Sequence, residues 1–301
     1  MAKVKNKIRE PFGDRMMELV TTLILIFVLI IVGYPVIYVV SCSFSSANAL
    51  NGGRVLLWPV EFATEGYALT FSYKDVWYGF RNTLFYTVAS VLCTMTLQIL
   101  MAYPLSKANY QGKNVVLKIL VIAMMTGAGL IPTFLLFKSL GLVGSPLAVV
   151  MSGAVGISNV FILRTSFKTS IPGELFDAAR IDGANDFQCL IKIALPLAKA
   201  TLSVLVLYSA VGCWNDYFTA MIYLPDSIQY RPLQLFLRRI LMSTTAVGGT
   251  DADPDSLEAM QNALAQLKYA VIVVSTVPVL VLYGFVQKYF EKGVMIGSVK
   301  G

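Results

Sequence analysis

Residues 168–196 read KTSIPGELFDAARIDGANDFQCLIKIALP, a stretch too well punctuated to be a linker. Ser170 can cap a helix with Pro172 near its first turn, where a missing N–H costs nothing. Glu174 and Asp177 then put negative charge at the positive helix start. Gly183 can end that helix in the left-handed conformation, after which Asn185 or Asp186 can cap a second one, with Gln188 three residues after Asn185. The spacing predicts a short helical hairpin. Ala178, Ala179, Gly183 and Ala184 give it a low-relief surface that another backbone can approach closely.

On both sides of the hairpin the chain is apolar. Of its 301 residues 56% are hydrophobic and 14% charged, with a mean hydropathy of +0.69, far above an ordinary soluble domain. A helix needs about 20 apolar residues to cross a bilayer. Five intervals, 19–53, 82–106, 119–137, 139–163 and 269–287, contain no Asp, Glu, Lys or Arg, and a sixth, 200–225, is interrupted only by Asp216. Trimmed by composition, they predict six membrane helices at about 17–41, 82–105, 117–138, 147–166, 194–224 and 267–289. With the amino terminus in the cytoplasm, Lys and Arg fall on the inner side by two to one. Both termini and the hairpin then face the cytoplasm, and the formal charge of +7 sets orientation rather than marking a nucleic-acid partner. The first apolar run is too long for a signal-peptide core and no cleavage site stands out, so a retained helix is expected.

Composition removes several chemistries. The chain has no histidine, so Ser-His-Asp triads, His acid–base catalysis and His-ligated metals are unavailable. Cys42, Cys93, Cys189 and Cys213 lie far apart and read as packing residues. No phosphate-binding G-x-x-x-x-G-K-[ST] occurs; Gly112-Lys113 lacks both the preceding glycine and the following hydroxyl. Pro35, Pro104, Pro132 and Pro278, with Gly127, Gly129, Gly153 and Gly156, sit inside the spans, either for close packing or as hinges.

Asp177-Ala-Ala-Arg180-Ile-Asp182-Gly183-Ala184, then Phe187, then Ile193-Ala-Leu-Pro196-Leu, resembles the E-A-A-x-x-D-G-A…L-P motif of the inner-membrane permease subunits of ABC importers. Asp177 stands where the family usually has Glu, a shorter carboxylate that reaches less far. Trp214-Asn215-Asp216-Tyr217-Phe218 is similar to the W-N-D/E-F element of carbohydrate-importer permeases, particularly the six-helix subunit of the maltose-transporter type. The ending Phe290-Glu-Lys-Gly293-Val-Met-Ile-Gly297-Ser-Val-Lys300-Gly301 resembles the tail of the same subunits, in particular the lipoprotein-associated sugar permeases.

The resemblance covers about residues 75–301 and implies an all-α membrane protein with the type I ABC importer permease fold. Residues 1–75 would form the cytoplasmic amino terminus, first helix and external loop. Residues 76–290 would form the permease core with coupling helices at about 171–192, and residues 291–301 a cytoplasmic tail. It further implies a bacterial cytoplasmic membrane, a second permease subunit as heterodimer partner, two ATPase subunits that hold ATP and Mg, an external solute-binding protein and a carbohydrate solute, with oligosaccharides or modified sugars favoured. This chain would be no enzyme and carry no cofactor.

By that resemblance Asp177, Ala178, Ala179, Asp182, Gly183, Ala184 and Pro196 would couple to an ATPase, and Gly293, Gly297 and Lys300 would reach between the ATPases. Read without it, the hairpin is either a connector or a docking surface, and the tail a basic end. Asp216 would cost about 2.5–3.5 kcal/mol at a bilayer centre on insertion scales, so it should face protein, a wet cavity or the outer interface. It either fixes a helix end with Asn215 or binds solute hydroxyls beside the rings of Trp214, Tyr217 and Phe218. In residues 225–266, Leu233, Phe236, Leu237 and Ile240 share one helical face ahead of an acidic stretch. That helix rests on the membrane or, by resemblance, probes the binding protein; residues 42–80 are a second docking candidate. An ion-driven carrier fits less well, because there is no inverted repeat and a single intramembrane acid. Neither do the spans supply a hydrolase with paired carboxylates.

Overall fold

The computed structural model describes residues 12–108, 110–225, 227–246 and 254–298. Among them lie fifteen α-helices: α1 (Phe12–Ser43), α2 (Ala47–Asn51), α3 (Glu65–Ser72), α4 (Lys74–Ser106), α5 (Lys113–Thr126), α6 (Leu130–Ser139), α7 (Pro146–Met151), α8 (Ile157–Ser170), α9 (Gly173–Ile181), α10 (Asp186–Cys189), α11 (Leu195–Leu197), α12 (Lys199–Asn215), α13 (Phe218–Tyr223), α14 (Leu233–Ala246) and α15 (Pro254–Ser298). One isolated antiparallel bridge joins Ser45 and Phe62. Contacts group the chain into two compact units, residues 1–70 with 244–273 and residues 71–243 with 274–301.

In the first unit α1 is apolar on every side, and none of its most apolar window is buried within the chain. Lipid or another subunit must cover it. Its end is closed by serines: Ser43 Oγ donates to Val40 O at 2.7 Å and Ser45 Oγ to Ser41 O at 2.7 Å, satisfying carbonyls that a helix end leaves orphaned. Cys42, Ala49 and Val55 form a small core with Tyr38 and Tyr269 against it. Close approach is fixed by Gly66: a Cβ there would lie 2.8 Å from the backbone oxygen of Gln266.

In the second unit α4 is the axle, packed against α8 and α12. Met95, Tyr103, Leu163, Phe167, Leu190 and Leu205 form the main core. A second cluster joins Tyr86 of α4 to Val149, Val150, Ala220 and Leu224.

Six unbroken membrane helices are not what the described residues form. Three helices are apolar and unbroken: Gly13–Ser43, Lys74–Ser106 and Gln261–Gly284. The span expected at 117–138 is α5 and α6, meeting at 113°, with Gly127 and Gly129 at φ of 51° and 72° between them. That expected at 147–166 is α7 and α8, interrupted over residues 152–156. That expected at 194–224 is α12 and α13, interrupted at residues 216–217, with an 81° bend between Asp186–Leu197 and Lys199–Asn215. Positive φ at Gly127 and Gly129 is invisible to a hydropathy average, which is why the first of these breaks escaped the charge-free intervals. The last helix is longer than expected and includes Gly293 and Gly297; Lys300 lies outside the described residues. The amphipathic helix expected after residue 232 is α14, with Leu233 and Ile240 buried. The acidic stretch at 247–253 lies outside the described residues.

Candidate functional site

The hairpin forms as its sequence dictates, except at its entry. Ser170 closes α8 instead of capping α9; Pro172 takes the cap position with no side-chain hydrogen bond. At the other end Gly183 adopts φ of 80°, letting Ala184 N donate to Ala179 O at 2.9 Å and Gly183 N to Arg180 O at 3.0 Å. Asn185 then makes the full capping box. Gln188 N donates to its Oδ1 at 2.8 Å and its own N–H donates to Gln188 Oε1 at 3.0 Å. Side-chain contacts hold the hairpin together and to α4. Lys107, just past the end of α4, lies 3.6 Å from the ring centre of Phe176 and 4.5 Å from that of Tyr103. Tyr103 Oη donates to Asp186 O at 3.1 Å, and Arg180 pairs with Asp186 at 3.6 Å. Burial holds the Lys107 amine below its ordinary value, with the Asp186 carboxylate opposing that shift.

The small residues face two ways. Ala179 and Ala184 pack on the core, while Asp177, Ala178, Asp182 and Gly183 are exposed. Beside them Ile181 and Phe187 are 88% and 64% exposed, large apolar groups left open on the hairpin. Exposed too is Pro196, in α11, just beyond a π-helical turn at Leu190–Ala194.

Further along α4, α7–α8 and the end of α12 meet a cavity of about 320 Å³, lined by Ser90, Thr94, Gln98, Gly153, Gly156, Asn159, Tyr208, Ser209 and Asp216 among others. Gln98 is 0% exposed, and neither its Nε2 nor its Oε1 has a partner among the described residues. Gly156 admits it: a Cβ there would stand 3.2 Å from Gln98 Nε2 and 3.1 Å from Asn159 Nδ2. Irregular backbone and unpaired amides at membrane depth are tolerated where they line a wet cavity. A hydrogen-bonding hollow of amides and hydroxyls with one carboxylate suits hydroxyl groups.

Of the path residues read from the sequence, Asp216 alone lines this cavity; its Oδ1 also accepts from Thr219 N at 3.0 Å and so caps α13. Trp214 is buried in packing, its indole N–H donating to Ser275 O at 2.9 Å and its ring edge-on to Phe80 at 5.7 Å. Tyr217 lies 5.1 Å beneath the Arg238 guanidinium, and Asn215 is exposed. The residues missed were Ser90, Thr94, Gln98, Asn159, Tyr208 and Ser209. A signal existed: Thr83, Thr87, Ser90, Thr94 and Gln98 recur every three or four positions, a polar stripe down one face of an otherwise apolar helix.

Residues 8–296 match the family model described as binding-protein-dependent transport system inner membrane component. Protein LplC of Bacillus subtilis (strain 168) is 36% identical over 272 residues, 89% of each chain. The polygalacturonan/rhamnogalacturonan transport system permease protein YtcP of the same organism is 37% identical over 278 residues, 92% of this chain and 96% of that one. In the crystal structure of a bacterial ABC transporter involved in the import of the acidic polysaccharide alginate, one chain superposes with a TM-score of 0.83 at 34% identity, covering 93% of this chain and 99% of that one. The match over most of the chain and these likenesses place this chain in the family of binding-protein-dependent transport system inner membrane components.

Proposed function

We propose that this chain is the permease subunit of an ATP-driven oligosaccharide importer, forming half of the translocation pathway and receiving mechanical work through α9 and α10. The observation that carries the coupling role is the hairpin: rigidly capped, fastened to cavity-lining α4, and bearing Ile181 and Phe187 uncovered. With no nucleotide-binding sequence of its own, this chain would take ATP-derived work from a partner, and this hairpin fits a cleft on an ATPase. Asp177, Asp182 and Gly183 would touch that cleft, and Pro196 would stiffen the exit.

Counting each bent pair and α7–α8 as spans gives six passes, with both termini in the cytoplasm of a bacterium. The partners are a second, different permease subunit, two ATPases holding ATP and Mg, and an external solute-binding protein; Gly293, Gly297 and Lys300 would contact the ATPases. The solute is assigned as carbohydrate because relatives are named for polygalacturonan, rhamnogalacturonan and alginate, and because Ser90, Thr94, Gln98 and Asn159 offer a hydroxyl-matching path with Asp216.

Purification of the tagged chain from native membranes tests this reading. An ATPase and a second permease should co-purify, and the reconstituted complex should take up oligosaccharide only with ATP and binding protein present. Isolation without any ATPase, or uptake driven by an ion gradient without nucleotide, refutes it.

A further inference from the structure

At the end of α4 remote from the hairpin lies a larger hollow of about 720 Å³, within the range of small-molecule sites. Among the described residues its charged lining is Arg81, Arg231, Arg239 and Asp75, with the rings of Tyr78 and Phe236 alongside. Arg81 and Lys107 are separated by about 40 Å of helix at 1.5 Å per residue, more than the hydrocarbon thickness. In the orientation proposed above, the hollow therefore opens on the outer face, where a solute arrives.

The hollow is built rather than incidental. The segment that carries Arg231 is stitched to α4: Asn82 Nδ2 donates to Gln229 O at 2.8 Å and Arg231 O at 3.1 Å, Tyr86 Oη donates to Tyr230 O at 2.8 Å, and Leu233 N donates to Thr83 Oγ1 at 2.8 Å. Gly79 lets the two backbones touch, since a Cβ there would lie 3.0 Å from Leu233 Cα. Arg231 Nη2 donates to Pro225 O at 2.7 Å and its Nε is sealed from solvent, so what Arg231 can bring to the hollow is its positive charge and its remaining Nη hydrogens. Arg81 leans over the Tyr78 ring at 5.6 Å.

We propose that this hollow binds carboxylate groups of an acidic oligosaccharide, so that the imported solute belongs to the uronate-bearing sugars. The proposal rests on the transport reading above and narrows its solute. Guanidinium forks suit planar carboxylates through paired hydrogen bonds, in a way that lysine does not. Tyr78 and Phe236 add apolar ring faces for sugar rings. A concave site of this volume fits a few sugar units rather than the broad, flatter patch that a docked protein requires.

The test is direct binding of trigalacturonate to the purified importer in phosphatidylcholine nanodiscs, beside its fully methyl-esterified form, without ATP or binding protein. Esterification should weaken binding at least tenfold. Arg81→Gln and Arg231→Gln should each weaken trigalacturonate binding about tenfold and shrink the acid-to-ester ratio, and Arg231→Lys should recover part of the loss. Arg81 is exposed, so its variant decides the matter even if Arg231→Gln proves unstable. Equal affinity for acid and ester overturns the proposal, as does an acid-to-ester ratio untouched by Arg81→Gln. So does abolition of trigalacturonate binding by phosphatidylglycerol in the nanodiscs, which assigns the hollow to a lipid headgroup. ATP-driven uptake of a neutral oligosaccharide by an importer that does not bind trigalacturonate leaves the transport reading standing and removes this one.

Discussion

Substitution at Gly183 separates the strain of a backbone from the fit of a surface. Gly183 sits at φ of 80°, and a Cβ built on it meets nothing within 4 Å. Any L side chain there costs about 1–2 kcal/mol for the left-handed conformation, with Asn the least penalised. Since the space is open, Gly183→Ala and Gly183→Trp carry the same backbone cost in the isolated chain, and their melting temperatures in detergent should agree closely. In the assembled importer they should part. An indole adds about 150–250 Å² of surface where an ATPase would approach most closely, and no flexible neighbour is there to yield. Uptake and binding-protein-stimulated hydrolysis, measured together in proteoliposomes, should fall modestly for Gly183→Ala, less for Gly183→Asn, and lose their coupling for Gly183→Trp. Normal coupled uptake by the Trp variant, or equal loss for Ala and Trp, refutes the argument that this turn enters a partner's cleft.

Gln98→Leu should lower uptake by removing the buried amide from the cavity wall while the assembled complex still forms; unchanged uptake would take Gln98 off the path. Trp214→Phe should cost about 1–2 kcal/mol through the lost bond to Ser275 O, read as a lower melting temperature; a loss of solute affinity at unchanged stability would return Trp214 to the path. Gly66→Ala drives a Cβ to 2.8 Å from a backbone oxygen and should destabilise by about 1–3 kcal/mol, visible as accelerated proteolysis between residues 51 and 72; wild-type resistance would contradict the packing.

The hairpin was legible almost to the atom because its determinants are local. A left-handed glycine, a cap three residues ahead of a glutamine and a following apolar run need no tertiary information, and Gly183, Asn185 and Gln188 perform those roles. Its entry was misread because Ser170 was available as a cap but α8 consumed it as a last turn. The spans were legible as apolar intervals and illegible as shapes. Charge counting is blind to neutral polar residues, so the stripe from Thr83 to Gln98 went unseen, and so did the cavity it helps line. Trp214 shows the opposite error: an aromatic beside an acid looked like a sugar platform, yet a backbone carbonyl across the bundle claims its only polar atom.

The three sites share one helix. Near its start α4 holds the segment of Arg231 through Asn82, Thr83 and Tyr86; midway it lines the cavity with Ser90, Thr94 and Gln98; at its end Tyr103 and Lys107 grip the hairpin. An unbroken helix of 33 residues is stiff along its axis, and its partners are not. α12 follows a π-helical turn and an 81° bend, and α8 follows the break at residues 152–156. π turns and glycine-bearing breaks are where helices yield at least cost. On the proposed coupling, a push on the hairpin is therefore taken up first at Leu190–Ala194 and Ala198, swinging α12 and its cavity-lining Tyr208, Ser209 and Asp216 against the face that α4 holds still. The hydroxyl-matching wall then splits between a fixed half, Ser90, Thr94 and Gln98, and a moving half on α12, so that the same stroke that closes the ATPases would change which side of the membrane the polar cavity serves.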